Sequence, residues 1–168
     1  MIPATVSARA PVVIGIDPGK SGAVVAIDEA GRVCAAATAD RWTLKGRGNS
    51  YVPRTMADWL TLVPCDLVVI EAQSTRPGQA HAVVTGYGWG LWAGIAATLR
   101  VPYLEVSPAK WTRAILTGAP GEGKARSIAV ARSRVPELDL TPGRRTKPHD
   151  GLADACCLAL YGLKELGK

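Results

Sequence analysis

The sequence contains no phenylalanine, only two methionines and only four cysteines, and none of its apolar stretches is long. The large side chains of a core must therefore include its five tryptophans and four tyrosines. No apolar run reaches the roughly 20 residues that a helix needs to cross a bilayer. The N-terminus also lacks a basic region followed by an apolar one, so we expect neither a signal peptide nor a membrane-spanning helix.

The cysteines are not spaced like metal ligands or a disulfide framework. No two of them are separated by two residues, and Cys156 and Cys157 are adjacent in a predicted helix, where their side chains point in different directions. We interpret all four as small buried apolar residues of a protein in a reducing compartment, and we expect a cytoplasmic location.

Positive charge is concentrated in one part of the chain. The formal net charge is +6, and segment 109–148 alone contains nine lysines or arginines against three acidic residues. Such clustering favours a polyanionic partner such as nucleic acid, although a solvated basic face has the same pattern.

The hydrophobic pattern predicts one domain over residues 1–168, with a loose tail at 1–10. Three strands joined by tight turns come first, and shorter strands then alternate with helices. The expected strands are 12–17, 22–28, 32–38, 66–71 and 102–106. The expected helices are 52–63, 80–99, one that begins at Ser107-Pro108 with Ser107 as N-cap, 124–134 and 149–166. The expected loops are 40–51, 72–79 and 136–148. This order predicts an α/β fold whose mixed central sheet has three antiparallel strands followed by parallel ones, with helices on both faces.

The predicted helix at 80–99 contains four glycines. Each costs about 1 kcal/mol relative to alanine, so we expect close approach of either the sheet or a partner subunit. Tyr87, Trp89 and Trp92 lie on the same helix, and core packing or a dimer contact is favoured for them over stacking on nucleobases.

Four carboxylates lie beside apolar sequence. Asp17 and Glu71 each end an apolar strand, and Asp150 and Asp154 lie on one face of the last helix. If the two strands are parallel neighbours, one end of the sheet receives all four side chains. Hard divalent cations such as Mg²⁺ prefer carboxylate oxygens, and two such ions about 3.5–4 Å apart can promote phosphodiester cleavage.

Three of these acids have simpler interpretations when taken alone. Asp17 could form a turn with the residues that follow it, Glu71 could pair with an arginine, and Asp150 could be a helix N-cap. Asp154 differs because segment 151–160 is otherwise uncharged, and an unpaired buried carboxylate is costly. Jointly, the four acids favour a functional site.

Three segments in order resemble the RuvC-type Holliday junction resolvases, and most closely their phage-type and organellar branch. The segments are 13–19 (VIGIDPG), 68–71 (VVIE) and 149–155 (HDGLADA). The resemblance extends over residues 12–163. It implies a ribonuclease H-like fold and a homodimer that uses Mg²⁺ or Mn²⁺ to nick two opposed strands of a four-way DNA junction.

The same resemblance makes Asp17, Glu71, Asp150 and Asp154 the catalytic, metal-binding acids, with two ions expected at each site. In the bacterial branch the last two acids are three residues apart, whereas here they are four apart. That departure leaves open whether Asp150 or the neighbouring His149 completes the site.

Basic residues near these motifs are expected to contact DNA phosphates, which position the substrate and make binding salt-dependent. The resemblance also suggests that Arg76 and Gln79, in the loop after Glu71, probe the centre of the junction, although an ordinary surface loop is the alternative. The expected phosphate contacts are Lys124, Arg126, Arg144, Arg145 and Lys147.

We therefore expect a structure-selective DNA endonuclease that makes paired symmetric nicks, leaves a 5′-phosphate, and requires neither a membrane nor a small-molecule cofactor. A non-catalytic or RNA-processing nucleic-acid-binding module on the same fold is the main alternative. Residues 15–22 also resemble the first phosphate loop of actin-like ATPases, but those proteins need a second similar domain, for which 168 residues leave no room.

Overall fold

The computed structural model of the chain describes residues 10–44, 50–73 and 82–167. A five-stranded sheet is built from β1 (Val12–Asp17), β2 (Ala23–Asp28), β3 (Val33–Thr38), β6 (Leu67–Glu71) and β7 (Tyr103–Val106), in the order β3-β2-β1-β6-β7. The predicted tail, apart from residue 10, lies outside the described residues, as do Arg76 and Gln79.

The first three strands are antiparallel neighbours, whereas β6 runs parallel to β1 and β7 runs parallel to β6. In the register of β1 and β6, Ile16 lies beside Ile70, so the two strands end together and present Asp17 and Glu71 at the same end of the sheet. The central strands are buried on both faces, which explains their nearly continuous apolar sequence.

Helices cover both faces of the sheet. On one face lie α3 (Pro108–Leu116), α4 (Lys124–Arg134) and α5 (Asp150–Leu166), and on the other lie α1 (Pro53–Leu62) and α2 (Ala82–Thr98). The mixed α/β architecture predicted from the sequence is therefore confirmed. None of the described helices is long and apolar enough to cross a membrane.

Helix α5 packs directly on β1, and Gly15 makes this possible. A Cβ atom at Gly15 would lie 2.0 Å from the carbonyl oxygen of Ala155 and 2.5 Å from the amide nitrogen of Ala159. The glycine thus allows backbone to approach backbone. This contact fixes the helix that carries Asp154 against the strand that carries Asp17.

The predicted loop at 40–51 contains more structure than expected. A short 3₁₀ helix, Ala39–Arg41, precedes a small hairpin of β4 (Thr43–Leu44) and β5 (Ser50–Tyr51). Strands of two residues are too short to show an alternating pattern, which is why the sequence did not reveal them. The buried Tyr51 hydroxyl donates a hydrogen bond to the carbonyl of Pro18 at 3.3 Å, so the hairpin supports the turn after Asp17.

Two local predictions need correction. Cys156 and Cys157 are buried as expected, but Cys34 is exposed and Cys65 is only partly buried. Cys34 is exposed because it lies on the edge strand β3, where alternate side chains face outwards. Ser107 does precede α3, but its side chain makes no capping hydrogen bond.

Candidate active site

Asp17 ends β1 and is partly buried. Its Oδ1 accepts a hydrogen bond from the Gly19 amide at 3.0 Å. Burial raises the pKa of Asp17 to about 7; the Gly19 hydrogen bond opposes the shift, while the negative charges of Glu71 and Asp154 reinforce it. The charges of Glu71 and Asp154 affect Asp17 because the three carboxylates lie close together.

Glu71 ends β6 and is held by two side chains. The indole Nε1 of Trp111 donates to Oε1 at 2.8 Å, and Gln73 Nε2 donates to Oε2 at 3.3 Å. The pKa of Glu71 is raised, chiefly by burial and further by the negative charge of Asp154. The hydrogen bond from Trp111 acts in the opposite direction but does not outweigh burial.

Asp154 lies one turn into α5, is only 9% exposed, and pairs with Lys124 from the start of α4. The Lys124 ammonium lies 2.7 Å from Asp154 Oδ2 and 3.4 Å from Asp150 Oδ2. Burial lowers the pKa of Lys124, but the hydrogen bond and charge of Asp154 outweigh it and raise the pKa above its ordinary value. A single lysine thus balances two acids, one of them buried.

Asp150 is the first residue of α5, and its side chain is about half exposed. Burial tends to raise the pKa of Asp150, but Lys124 and the Gly151 amide more than offset this, so the pKa is lowered. His149 is the N-cap: its Nδ1 accepts a hydrogen bond from the Leu152 amide at 3.2 Å. That bond engages the Nδ1 lone pair of His149 and places the imidazole proton on Nε2.

Asp17, Glu71 and Asp154 line one cavity of about 420 Å³ at the end of β1 and β6. Asp150 is outside its lining and reaches the group through Lys124. The lining comprises Asp17, Glu71, Trp111, Thr112, Leu116, Gly123, Lys124, Arg126, Ser127 and Asp154.

These residues suit a hard divalent cation by their chemistry. All the acidic donors are oxygens, and the cluster already draws the ammonium of Lys124 onto Asp154. As arranged, no three acidic, histidine or cysteine side chains of the described residues form a ready-made set of ligands. The Lys124 ammonium lies 2.7 Å from Asp154 Oδ2, and the side chain of Lys124 is 62% exposed.

The expected phosphate-binding residues fall into two places. Lys124 and Arg126 line the cavity, and the Arg126 guanidinium donates to the carbonyl of Leu116. Arg144, Arg145 and Lys147 are exposed on the segment that leads into α5, outside the cavity lining.

Sequence reasoning missed Trp111, Gln73 and Tyr51 as site residues. Trp111 had the spacing of a core residue in an amphipathic helix, and its ring is indeed buried. The sequence offered only a general indication that Trp111 has a polar partner, since a buried indole N–H usually donates to an acceptor.

The raised pKa of Asp17 predicts a pH-dependent stability. Because its pKa rises from 3.8 to about 7 on folding, the folded protein binds more protons than the unfolded chain between pH 4 and 7, and stability is lost as pH rises through that window. Without divalent cations, Asp17→Asn should therefore match the wild type near pH 4 and exceed its free energy of unfolding by up to about 4 kcal/mol at pH 8. Urea unfolding at both pH values measures this, with the exposed Asp58→Asn as a control; a variant less stable than wild type at pH 8 contradicts it.

Comparison with known proteins supports the fold. No protein-family model matches the sequence, and no curated protein matches it either. RuvC of Thermus thermophilus, in complex with a Holliday junction substrate, superposes with a TM-score of 0.62 at 17% identity, covering 94% of this chain and 96% of that chain. The fowlpox virus Holliday junction resolvase gives 0.55 at 16% identity, with 92% and 99% covered. The yeast mitochondrial resolvase Ydc2 gives 0.52 at 14% identity, with 91% and 80% covered. The chain therefore has the ribonuclease H-like fold of the RuvC-type Holliday junction resolvases.

Proposed function

We propose that this chain is a structure-selective endonuclease that resolves four-way DNA junctions by paired symmetric nicks. The observation that carries the proposal is the shared cavity: Asp17, Glu71 and Asp154 come from three distant parts of the sequence and line one space at the end of β1 and β6. The fold adds support, because solved structures of similar fold include resolvases bound to junction DNA.

The reaction requires divalent cations, Mg²⁺ or Mn²⁺, with two ions at each site. Asp17, Glu71 and Asp154 would hold them, with Asp150 at the rim. When bound, such ions lower the pKa of a water molecule and stabilise the charge that develops on the leaving oxygen. The product carries a 5′-phosphate.

The chain's own residues prepare the site in two ways. Asp17 must lose the proton that its raised pKa favours, so cation binding releases a proton and strengthens as pH rises through about 7. Lys124 must leave Asp154, and its ammonium then faces a cavity that also contains Arg126. There it can bind a phosphate oxygen of the scissile strand.

The exposed basic residues ahead of α5 extend this positive surface. Arg144, Arg145 and Lys147 precede the helix whose first residue is Asp150. They bind the DNA backbone, which positions a strand at the acids and makes affinity fall with salt. Arg76 and Gln79 are proposed to contact the junction centre, on the resemblance alone.

The protein acts as a homodimer, because a four-way junction has approximate two-fold symmetry and needs one site on each of two strands. The outer face of α2 is suited to the contact. A Cβ atom at Gly86, Gly90 or Gly94 would meet nothing within 4 Å, and Val83 and Tyr87 on the same helix are 84% and 55% exposed. Small residues at intervals of four allow a second helix to approach closely.

Gly90→Glu should therefore weaken the dimer. A charge buried without a partner costs about 3–5 kcal/mol, so the dissociation constant should rise by more than about 100-fold while the monomer still folds. Sedimentation velocity measures the change, with Leu166→Glu at the exposed end of α5 as the control. A monomeric wild type, or a variant that stays dimeric, contradicts the proposal.

The function itself is tested with a synthetic four-way junction carrying a label on each strand in turn, incubated with and without Mg²⁺ and resolved on denaturing gels. The expected result is a pair of symmetric, metal-dependent nicks in opposed strands, absent from linear duplex. Binding without nicking in either Mg²⁺ or Mn²⁺ supports the non-catalytic module, preferential cleavage of RNA supports a role in RNA processing, and ATP turnover without DNA supports the ATPase alternative.

A further inference from the structure

Trp111 combines a buried ring with a polar contact to a proposed metal ligand. The side chain is 3% exposed and packs in the core between the sheet and helices α3, α4 and α5. Its one polar atom, Nε1, donates to Glu71 Oε1 at 2.8 Å. Because the ring is enclosed by core residues, the position of this donor is set by packing and not by solvent.

The two oxygens of Glu71 have unequal partners. Oε1 receives the short hydrogen bond from the buried indole, whereas Oε2 receives a longer one, 3.3 Å, from the side chain of Gln73. Oε2 therefore has the weaker hold, and rotation of the carboxylate about its last bond is restrained chiefly through Oε1. With the carboxylate held through Oε1, Oε2 is the oxygen whose hydrogen bond is more easily given up to a ligand in the cavity.

Trp92 provides an internal comparison. It is fully buried on the opposite face of the sheet, yet its Nε1 has no hydrogen-bond acceptor among the described residues. Both tryptophans thus fill a core, but only at Trp111 is the N–H directed at an acid of the site.

We propose that Trp111 is a positioning residue, whose indole N–H fixes the Glu71 carboxylate in the orientation that binds a divalent cation. The inference rests on the proposed function, since it requires Glu71 to be a metal ligand. Hydrogen bonds to metal-binding side chains typically contribute a factor of about 10–100 in metal affinity, and a factor in this range is expected here.

The test compares Trp111→Phe with Trp92→Phe in the full-length protein. Each exchange keeps an aromatic ring and removes an indole N–H, but only the first removes a hydrogen bond to Glu71. Mn²⁺ affinity, followed by the loss of the free-ion signal in electron paramagnetic resonance, should fall about 10–100-fold in Trp111→Phe and less than about twofold in Trp92→Phe. Equal Mn²⁺ affinity in wild type and Trp111→Phe overturns the inference, as does an equal loss in both variants.

A second measurement separates positioning from packing. In a Glu71→Ala background, which lacks both the ligand and the acceptor of the Trp111 N–H, Trp111→Phe should weaken Mn²⁺ binding no further, whereas a purely structural effect persists. If Trp111→Phe fails to fold, 3-benzothienylalanine at position 111 replaces the N–H with sulfur and preserves the ring shape; the same loss of affinity is then expected. A wild type that binds no Mn²⁺ refutes the proposed function, whereas wild-type binding with an unaffected Trp111→Phe refutes only this inference.

Discussion

Glu71→Gln should reduce junction cleavage by about 10³-fold, equivalent to about 4 kcal/mol of transition-state stabilisation. Glutamine preserves the shape of the side chain and still offers an oxygen to Trp111, which contacts Glu71 at 2.8 Å. It lacks the negative charge that we propose holds a divalent cation. The rate constant is measured in single turnover with saturating protein and labelled junction.

Junction affinity should survive the same substitution, because the basic residues proposed to contact phosphates are unchanged. Gel-shift measurements in Ca²⁺ should give dissociation constants within about threefold of the wild type. Glu29→Gln, an exposed exchange in the turn after β2 at the opposite end of the sheet, controls for the loss of one negative charge. Cleavage by Glu71→Gln within tenfold of wild type would remove Glu71 from the catalytic set.

Gly15→Ala should unfold the protein under conditions where the wild type is stable. The new methyl group would lie 2.0 Å from the Ala155 carbonyl oxygen and 2.5 Å from the Ala159 amide nitrogen. Both are backbone atoms of α5, so no side-chain rotation can relieve the overlap. We expect a loss of at least about 4 kcal/mol, which is a large part of the 5–15 kcal/mol that stabilises a typical domain.

Urea unfolding followed by circular dichroism measures this loss. Gly167→Ala is the matched control, because its Cβ would lie 3.6 Å from the Leu163 carbonyl oxygen, an ordinary contact at the end of the same helix. The control should change the free energy of unfolding by less than about 0.5 kcal/mol. A Gly15→Ala protein within 1 kcal/mol of wild type would mean that α5 can shift away from β1 at little cost.

The meeting of Asp17 and Glu71 was predictable because both signals are local. Each acid ends an apolar run of strand length, and two parallel strands bring their ends together. Asp154 was predictable for a similar reason, since a single charge in an otherwise apolar helix needs a special environment. The fold class followed from the order of such elements along the chain.

Pairings between distant residues were not predictable. The contact of Trp111 with Glu71 joins residues 40 positions apart, and the contact of Lys124 with Asp154 joins residues 30 apart. A tryptophan in an amphipathic helix and a lysine at a helix start have ordinary local patterns, so nothing nearby marks their partners. Lys124 was expected to contact phosphate, whereas in the structure it pairs with two acids of the site.

The backbone contact at Gly15 also bears on how this protein can be engineered. At Gly15, α5 rests on β1 through main-chain atoms, so the spacing between the segments carrying Asp17 and Asp154 is set there by backbone contact and not by side-chain size. The second core, between the sheet and helices α1 and α2, lies on the opposite face of the sheet from this contact. We therefore expect stabilising substitutions among its helical residues to leave the separation of Asp17 and Asp154 unchanged, so that thermal stability and activity can be engineered separately.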